Sequence, residues 1–191
     1  MTVFDFDKTL TNHDTLFGFY KEVAGDEMLF TFKRWCLFTV ALAYKLKLIS
    51  NTQLKRIGVR LFLYHKTIEK LENSARKYAQ KIRLNDIYKT HFTSTPKRER
   101  IIISASLEIY LKKIFPDENV AGSTLSFRNN RVSGLECNMY GTEKVSYLKN
   151  NGINRVEKLY TDSYSDKPLM EFSNITFIVD DGKLIKPHSY S

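Results

Sequence analysis

The sequence predicts an α/β protein: a Rossmann-like three-layer α/β/α core with a mostly parallel sheet, plus an inserted all-helical block. Three observations carry this prediction. The chain opens on a short apolar run, "MTVFDFD", that reads as a strand. From Asp14 to about His91, helical periodicity dominates and no convincing strand occurs. After "TSTPKRER" at 93–100 the texture switches to alternating strand and helix, the pattern of a parallel sheet with helices on both faces. The expected division is therefore 1–12 and 94–191 for the core, with 13–93 inserted after the first strand.

The inserted block reads as helices over about 14–24, 27–47, 51–64 and 67–82. Gly25 stops the first, "SNTQ" at 50–53 supplies a cap cluster for the third, and Thr67 caps the fourth. Residues 85–91 add a short turn of helix. In the core, "RIIIS" at 100–104 is a continuous apolar run, the mark of a strand covered on both faces. "LEIYLKKIF" follows as a helix, and "STLSFRNNRVSGLE" as a hairpin turning at Asn129 and Asn130. "TEKVSYLKNNG" is a helix stopped by Gly152, "VEKLYTD" a strand and "DKPLMEFS" a short helix. "ITFIVDDGKLI" closes with a strand and hairpin.

Composition bounds the partners. A formal charge of +9 and a pI near 9.4 favour anionic ones: phosphorylated metabolites, acidic lipid headgroups or nucleic acid. The two cysteines, Cys36 and Cys137, form neither a ligand spacing nor a disulfide framework, which fits a reduced cytoplasmic compartment. No signal peptide precedes the first strand. The most apolar stretch, "CLFTVALAY" at 36–44, is short of the ~20 residues a spanning helix needs. It reads first as a buried helix of the core. Its flanks of Lys33, Arg34, Lys45 and Lys47, with Trp35, also suit a helix lying on the inner face of an anionic membrane.

In open parallel sheets, ligands sit beyond the carboxyl ends of the strands. The first strand ends in Asp5 and Asp7, with Thr9 just past them. The "RIIIS" strand ends in Ser104, and the "VEKLYTD" strand in Asp162, with Asp166 four residues on. "GTEK", at a helix start between the last two, offers Lys144. Three converging carboxylates, Asp5, Asp7 and Asp162, make an oxygen-rich site for a hard cation such as Mg²⁺. Lys144 and Ser104 add a positive charge and a hydroxyl for an anionic guest, and a phosphate is the natural one. Plainer roles exist for several of these: Ser104 or Ser106 as a helix cap, and Asp166 at a helix N-terminus.

"DFDKTLT", "IIISAS", Lys144 in "GTEK" and "YTDSYSD" together resemble the four ordered motifs of the haloacid dehalogenase-like phosphohydrolase superfamily. More narrowly, they resemble its phosphoserine-phosphatase-like subfamily (IB), whose small C1 helical cap follows the first strand. That resemblance spans the whole chain and implies a set of roles. Asp5 is the nucleophile that forms an aspartyl-phosphate, and Asp7 is the general acid and base whose carbonyl contacts Mg²⁺. Asp162 ligates the metal, Ser104 and Lys144 bind phosphate, Asp166 acts on the metal through water or orients Lys144, and Thr9 braces the loop. Position 8, often Gly in the family, is Lys8 here.

The substrate is less determined. The position of the family's substrate-gripping acid is Asp14, which a helix N-cap explains equally well. Arg56, with Arg60 and Lys55 on the same helix, is the cap residue expected near substrate. "SAS" replaces the glycine-rich run of phosphoserine phosphatases. It and the terminal "GKLIKP" look more like the phosphatidylglycerophosphatase C-type branch. The expected activity is thus hydrolysis of a small or lipid phosphomonoester, with a phosphoserine-type substrate as the alternative. A basic nucleic-acid-binding protein without catalysis is the rival from another class, but no recognised nucleic-acid motif occurs.

Overall fold

Why the strands stack as they do follows from their alternation. In the computed structural model, which describes residues 1–25, 29–185 and 188–189, β1 (Thr2–Phe4) pairs in parallel with β2 (Arg100–Leu107) and β5 (Val156–Thr161). Val3, Ile101, Ile103 and Leu159 point to one face of the sheet. Phe4, Ile102 and Tyr160 point to the other. Each of these strands is thus apolar on both sides, as the run "RIIIS" predicts for a strand covered twice.

The first face is covered by α6 (Thr142–Asn150) and α7 (Lys167–Glu171), through Leu148, Leu169 and Met170. The second is covered by α5 (Glu108–Ile114) and by the helices inserted between β1 and β2. Those are α1 (Leu16–Ala24), α2 (Phe30–Lys45), α3 (Asn51–Phe62) and α4 (Ile68–Ala79), followed by a π-helical turn at Tyr88–Phe92. Phe92 packs edge-on against Phe4 at 5.1 Å between ring centroids. The end of the inserted segment is thereby part of the sheet's own core.

The sheet continues with β3 (Val120–Arg128) beside β2, and with β6 (Ser173–Asp180) beside β5. β4 (Arg131–Cys137) returns antiparallel to β3, and β7 (Lys183–Leu184) and β8 (His188–Ser189) lie antiparallel to β6. The order is β4-β3-β2-β1-β5-β6-β7, with β8 also on β6. This is the expected mixed α/β architecture with a mostly parallel centre. The hairpin turns at Asn129 and Asn130, both at positive φ (50° and 59°), the conformation that a two-residue hairpin turn demands and asparagine tolerates.

Three differences from the sequence reading have physical causes. β2 runs on to Leu107 rather than ending at Ser104, because the pairing to β3 resumes after a register shift between Ile103 and Leu107. α5 starts at Glu108 with Leu107 at its N-cap, within one residue of the predicted helix, and neither Ser104 nor Ser106 caps it. The apolar stretch 36–44 is not a core helix, for no residue of α2 is buried. Its many apolar side chains are spread around the helix, so one face cannot hide them all. The predicted start of that helix at 27–28, and the end of "GKLIKP" at 186–187, lie outside the described residues.

Candidate active site

The C-terminal edge of β1 builds the floor. Asp5 continues the pairing with β5 through its N–H to the Tyr160 carbonyl, 2.9 Å away. Phe6 then turns into the core, and the chain wraps so that the Phe6 carbonyl accepts the Leu10 N–H at 2.8 Å. Lys8 sits at the apex with φ +57°, a conformation costing roughly 1–2 kcal/mol for a residue with a Cβ. Its left-handed backbone accounts for the expectation of glycine there. The loop is braced by Thr11, whose hydroxyl accepts the Lys8 N–H (3.1 Å) and donates to the His13 carbonyl (2.8 Å). The Asn85 amide adds bonds to the Thr9 and Thr11 carbonyls at 3.0 and 3.1 Å. Thr9, expected to brace the loop, keeps a buried hydroxyl with no hydrogen bond among the described residues.

Lys144, in the first turn of α6, reaches across this floor. Its ammonium is 2.8 Å from Asp166 Oδ2 and 3.1 Å from Asp5 Oδ1. The proton is aimed at Asp166, which also accepts the Thr161 hydroxyl at 2.9 Å. Asp5 Oδ1 is therefore within ion-pair distance but accepts no hydrogen bond from any described residue. Burial pushes the Asp5 carboxyl up to about 7; Lys144 opposes this, and Asp166, Asp162 and Asp7 reinforce it. Burial alone would lower the Lys144 ammonium, but Asp5 and Asp166 outweigh it and hold Lys144 above its ordinary value.

Asp7 is held differently. Its Oδ1 accepts the Thr15 N–H (2.8 Å) and hydroxyl (2.6 Å), and its Oδ2 accepts the Ser106 hydroxyl. Tyr110 closes the network by donating to Ser106 and lying 2.9 Å from the Thr15 hydroxyl. Burial and the charge of Asp14 push the Asp7 carboxyl up to about 6, against the Ser106 and Thr15 hydrogen bonds that stabilise its charge. Thr15, Ser106 and Tyr110 were not singled out as partners of Asp7. Only the second serine of "SAS" marks any of them in the sequence.

These groups form the floor of a cavity of about 450 Å³. Asp5, Asp7, Ser104, Lys144, Asp162 and Asp166 line its polar end; Leu16, Phe17, Leu37, Ala41 and Leu54 line its apolar end. Ser104 is buried, its hydroxyl accepting the Ser106 N–H at 3.1 Å. Asp162 is half-buried, and burial raises its carboxyl while nearby Lys8 lowers it. Asp14 lines the cavity and accepts the Leu16 N–H at 3.1 Å, but the N-cap of α1 is Thr15, so the N-cap role expected of Asp14 falls one residue later in the chain.

Arg56 does not reach the cavity. It lies on the exposed face of α3, and its neighbour Lys55 turns inward instead. The Lys55 ammonium donates to the Ala105 carbonyl, to Asn138 Oδ1 and to Ser123 Oγ. Burial lowers it to about 8, against the attraction of Asp7 and Asp14.

The three carboxylates expected at a metal, Asp5, Asp7 and Asp162, all line the cavity, but their side chains do not form a closed ligand cluster. Among the described residues, no three His, Cys, Asp or Glu side chains gather closely enough to hold an ion. Both side-chain oxygens of Asp7 accept hydrogen bonds, from Thr15 and Ser106, which leaves its main-chain carbonyl as the contact expected for an ion. What remains is hard and oxygen-rich: Asp5, with one oxygen accepting no hydrogen bond, Asp162, and main-chain oxygens of the loop. That donor chemistry suits a small divalent cation.

A family model described as haloacid dehalogenase-like hydrolase matches residues 2–171. A search of the curated proteins by sequence finds no match. Among solved structures, a protein of unknown function from Bordetella pertussis Tohama I superposes with a TM-score of 0.72 at 17% identity, covering 90% of this chain and 85% of that one. A phosphoserine phosphohydrolase-like protein from Francisella tularensis gives 0.67 at 17% identity, covering 92% and 84%. A phospho-aspartyl intermediate analogue of phosphoserine phosphatase gives 0.59 at 19%, covering 92% and 83%. At these identities the likeness is one of fold.

Proposed function

The chain belongs to the haloacid dehalogenase-like hydrolase family, and on that premise we propose that it hydrolyses a small or lipid phosphomonoester through an aspartyl-phosphate on Asp5. The observation that carries this reading is the unequal treatment of two carboxylates at one strand end. Asp5 faces Lys144 and keeps an oxygen free of hydrogen bonds, as a nucleophile needs. Asp7 is locked in place by Thr15 and Ser106, as a proton carrier needs.

In the first step an Asp5 oxygen attacks phosphorus, the bond to the leaving oxygen breaks, and Asp7 delivers its proton to that oxygen. In the second, Asp7 takes a proton from water, which attacks the aspartyl-phosphate, releasing inorganic phosphate and restoring Asp5. The rise of Asp7 to about 6 suits a group that must give a proton and then take one near neutrality. Lys144 and the Ser104 hydroxyl bind phosphate oxygens, and Asp166 with Thr161 positions Lys144. Mg²⁺ held by Asp5, Asp162 and the Asp7 carbonyl would supply the charge neutralisation that lets a carboxylate approach a phosphate. The helical block 13–93 acts as the cap that excludes water.

The reading places the chain in the phosphoserine-phosphatase-like subfamily. An amino-bearing substrate is the second reading, supported by the position of Asp14 on the cavity wall. Replacing Asp5 by Asn should lower Mg²⁺-dependent phosphate release from an aryl phosphate by about a thousandfold or more. Turnover unchanged by Asp5→Asn would overturn the proposal, and chelation of divalent ions should abolish wild-type activity while leaving the fold intact.

A further inference from the structure

The outer face of α2 is at odds with a surface made for water. Phe32, Trp35, Phe38, Leu42 and Leu46 recur every three or four residues, so they form one stripe along the helix. Each is between 51% and 66% exposed. A stripe of this kind normally faces the core; here it faces outward. Contiguous apolar surface of that extent marks an interaction site.

The charges around it select the partner. Residues 29–50 contain Lys33, Arg34, Lys45 and Lys47 and no acidic residue. A second copy of the chain would bring this cationic segment against itself with no acid to neutralise it. An anionic lipid surface complements both features: headgroups meet the cations while the aromatic and aliphatic stripe enters the acyl boundary, where tryptophan is favoured. No helix among the described residues is long and apolar enough to cross a membrane, so the geometry is one of lying on it.

The opposite face of the same helix carries Leu37 and Ala41, which line the apolar end of the active-site cavity. We propose that α2 docks the protein on anionic membranes and opens the cavity toward amphiphilic phosphate esters held there. The docking half stands alone; the substrate half rests on the hydrolase reading above.

Trp35, the one tryptophan of the chain, reports docking directly. Its emission should shift to the blue with phosphatidylcholine vesicles containing phosphatidylglycerol, be quenched by brominated acyl chains, and revert in high salt. Paired Leu42→Ser and Leu46→Ser replacements should weaken vesicle affinity about tenfold or more. Paired Arg34→Glu and Lys45→Glu replacements should weaken it at least as much. Asp5→Asn should bind as wild type, and a long-chain alkyl phosphate in anionic vesicles should turn over faster than a short-chain one in solution. No shift and no co-sedimentation with anionic vesicles overturns docking. So does a blue shift that grows with protein concentration without lipid alongside a dimer in sedimentation equilibrium, which assigns the stripe to a second copy. Docking that persists while no phosphomonoester is hydrolysed keeps the docking half and discards the hydrolase reading together with the substrate half.

Discussion

Two neighbouring helices of the inserted block, α3 and α2, are attached to the core in opposite ways. The difference separates hydrophobicity from anchoring. α3, "NTQLKRIGVRLF", is the more polar, yet it buries Lys55, Gly58, Val59 and Phe62. Its start is fixed by a full capping box between Ser50 and Gln53. Asn138 then donates to Asn51 and Thr52 at 3.1 and 2.9 Å, and Lys55 reaches through to Ala105. α2 is rich in apolar residues and buries none. A helix is drawn onto a core by the arrangement of its side chains; their average character leaves the outcome open.

This contrast is sharpest at Lys55. Replacing it by Ala removes a donor from the part-buried Ala105 carbonyl and Asn138 Oδ1 and from the buried Ser123 hydroxyl, and should cost up to about 3 kcal/mol in urea unfolding. Activity should fall as well, because Ala105 lies between Ser104 and Ser106. A destabilisation below about 0.5 kcal/mol would remove the polar anchor from the account. A smaller effect is expected at Gly58, where an added Cβ would come within 2.9 Å of the Tyr20 hydroxyl and 3.1 Å of its ring. That ring is stacked on Phe62 at 5.1 Å and has little room to yield, so Gly58→Ala should cost roughly 1–3 kcal/mol by thermal melting. The smallest effect belongs to α2: Leu42→Ser should change unfolding stability by no more than about 0.5 kcal/mol. A loss near that of Lys55→Ala would mean the outer stripe is packed after all, and the comparison would collapse.

Much of this was legible in the sequence. The continuous apolar run of "RIIIS" marked a strand covered on both faces, "VEKLYTD" was readable as a strand, and the Asn129–Asn130 turn was readable because few residues accept positive φ. Asp5, Ser104, Lys144, Asp162 and Asp166 could be placed at one edge because parallel strands end together. Arg56 illustrates the limit. One step along a helix rotates a side chain by about 100°, enough to carry it from cavity to solvent. The position of Lys55, four and seven residues before the buried Val59 and Phe62, was the signal for the inward face. Thr15 and Tyr110 left no such trace, and Ser106 only its place in "SAS", since their meeting at Asp7 depends on three separate elements packing together.

One joint of the fold bears on how the molecule may be taken apart. The segment after α3 pairs along β4: His65 donates to the Val132 carbonyl at 3.0 Å, Val132 to Lys66 at 3.0 Å, and Ile68 to Asn130 at 3.0 Å. The outer strand of the sheet is thus sealed by the inserted block itself. Excising residues 13–93 to obtain a minimal catalytic unit would bare a row of unpaired backbone groups and the apolar flank of α5 together. Such a trimmed protein should form insoluble assemblies, which makes the insert a solubility element of the whole chain.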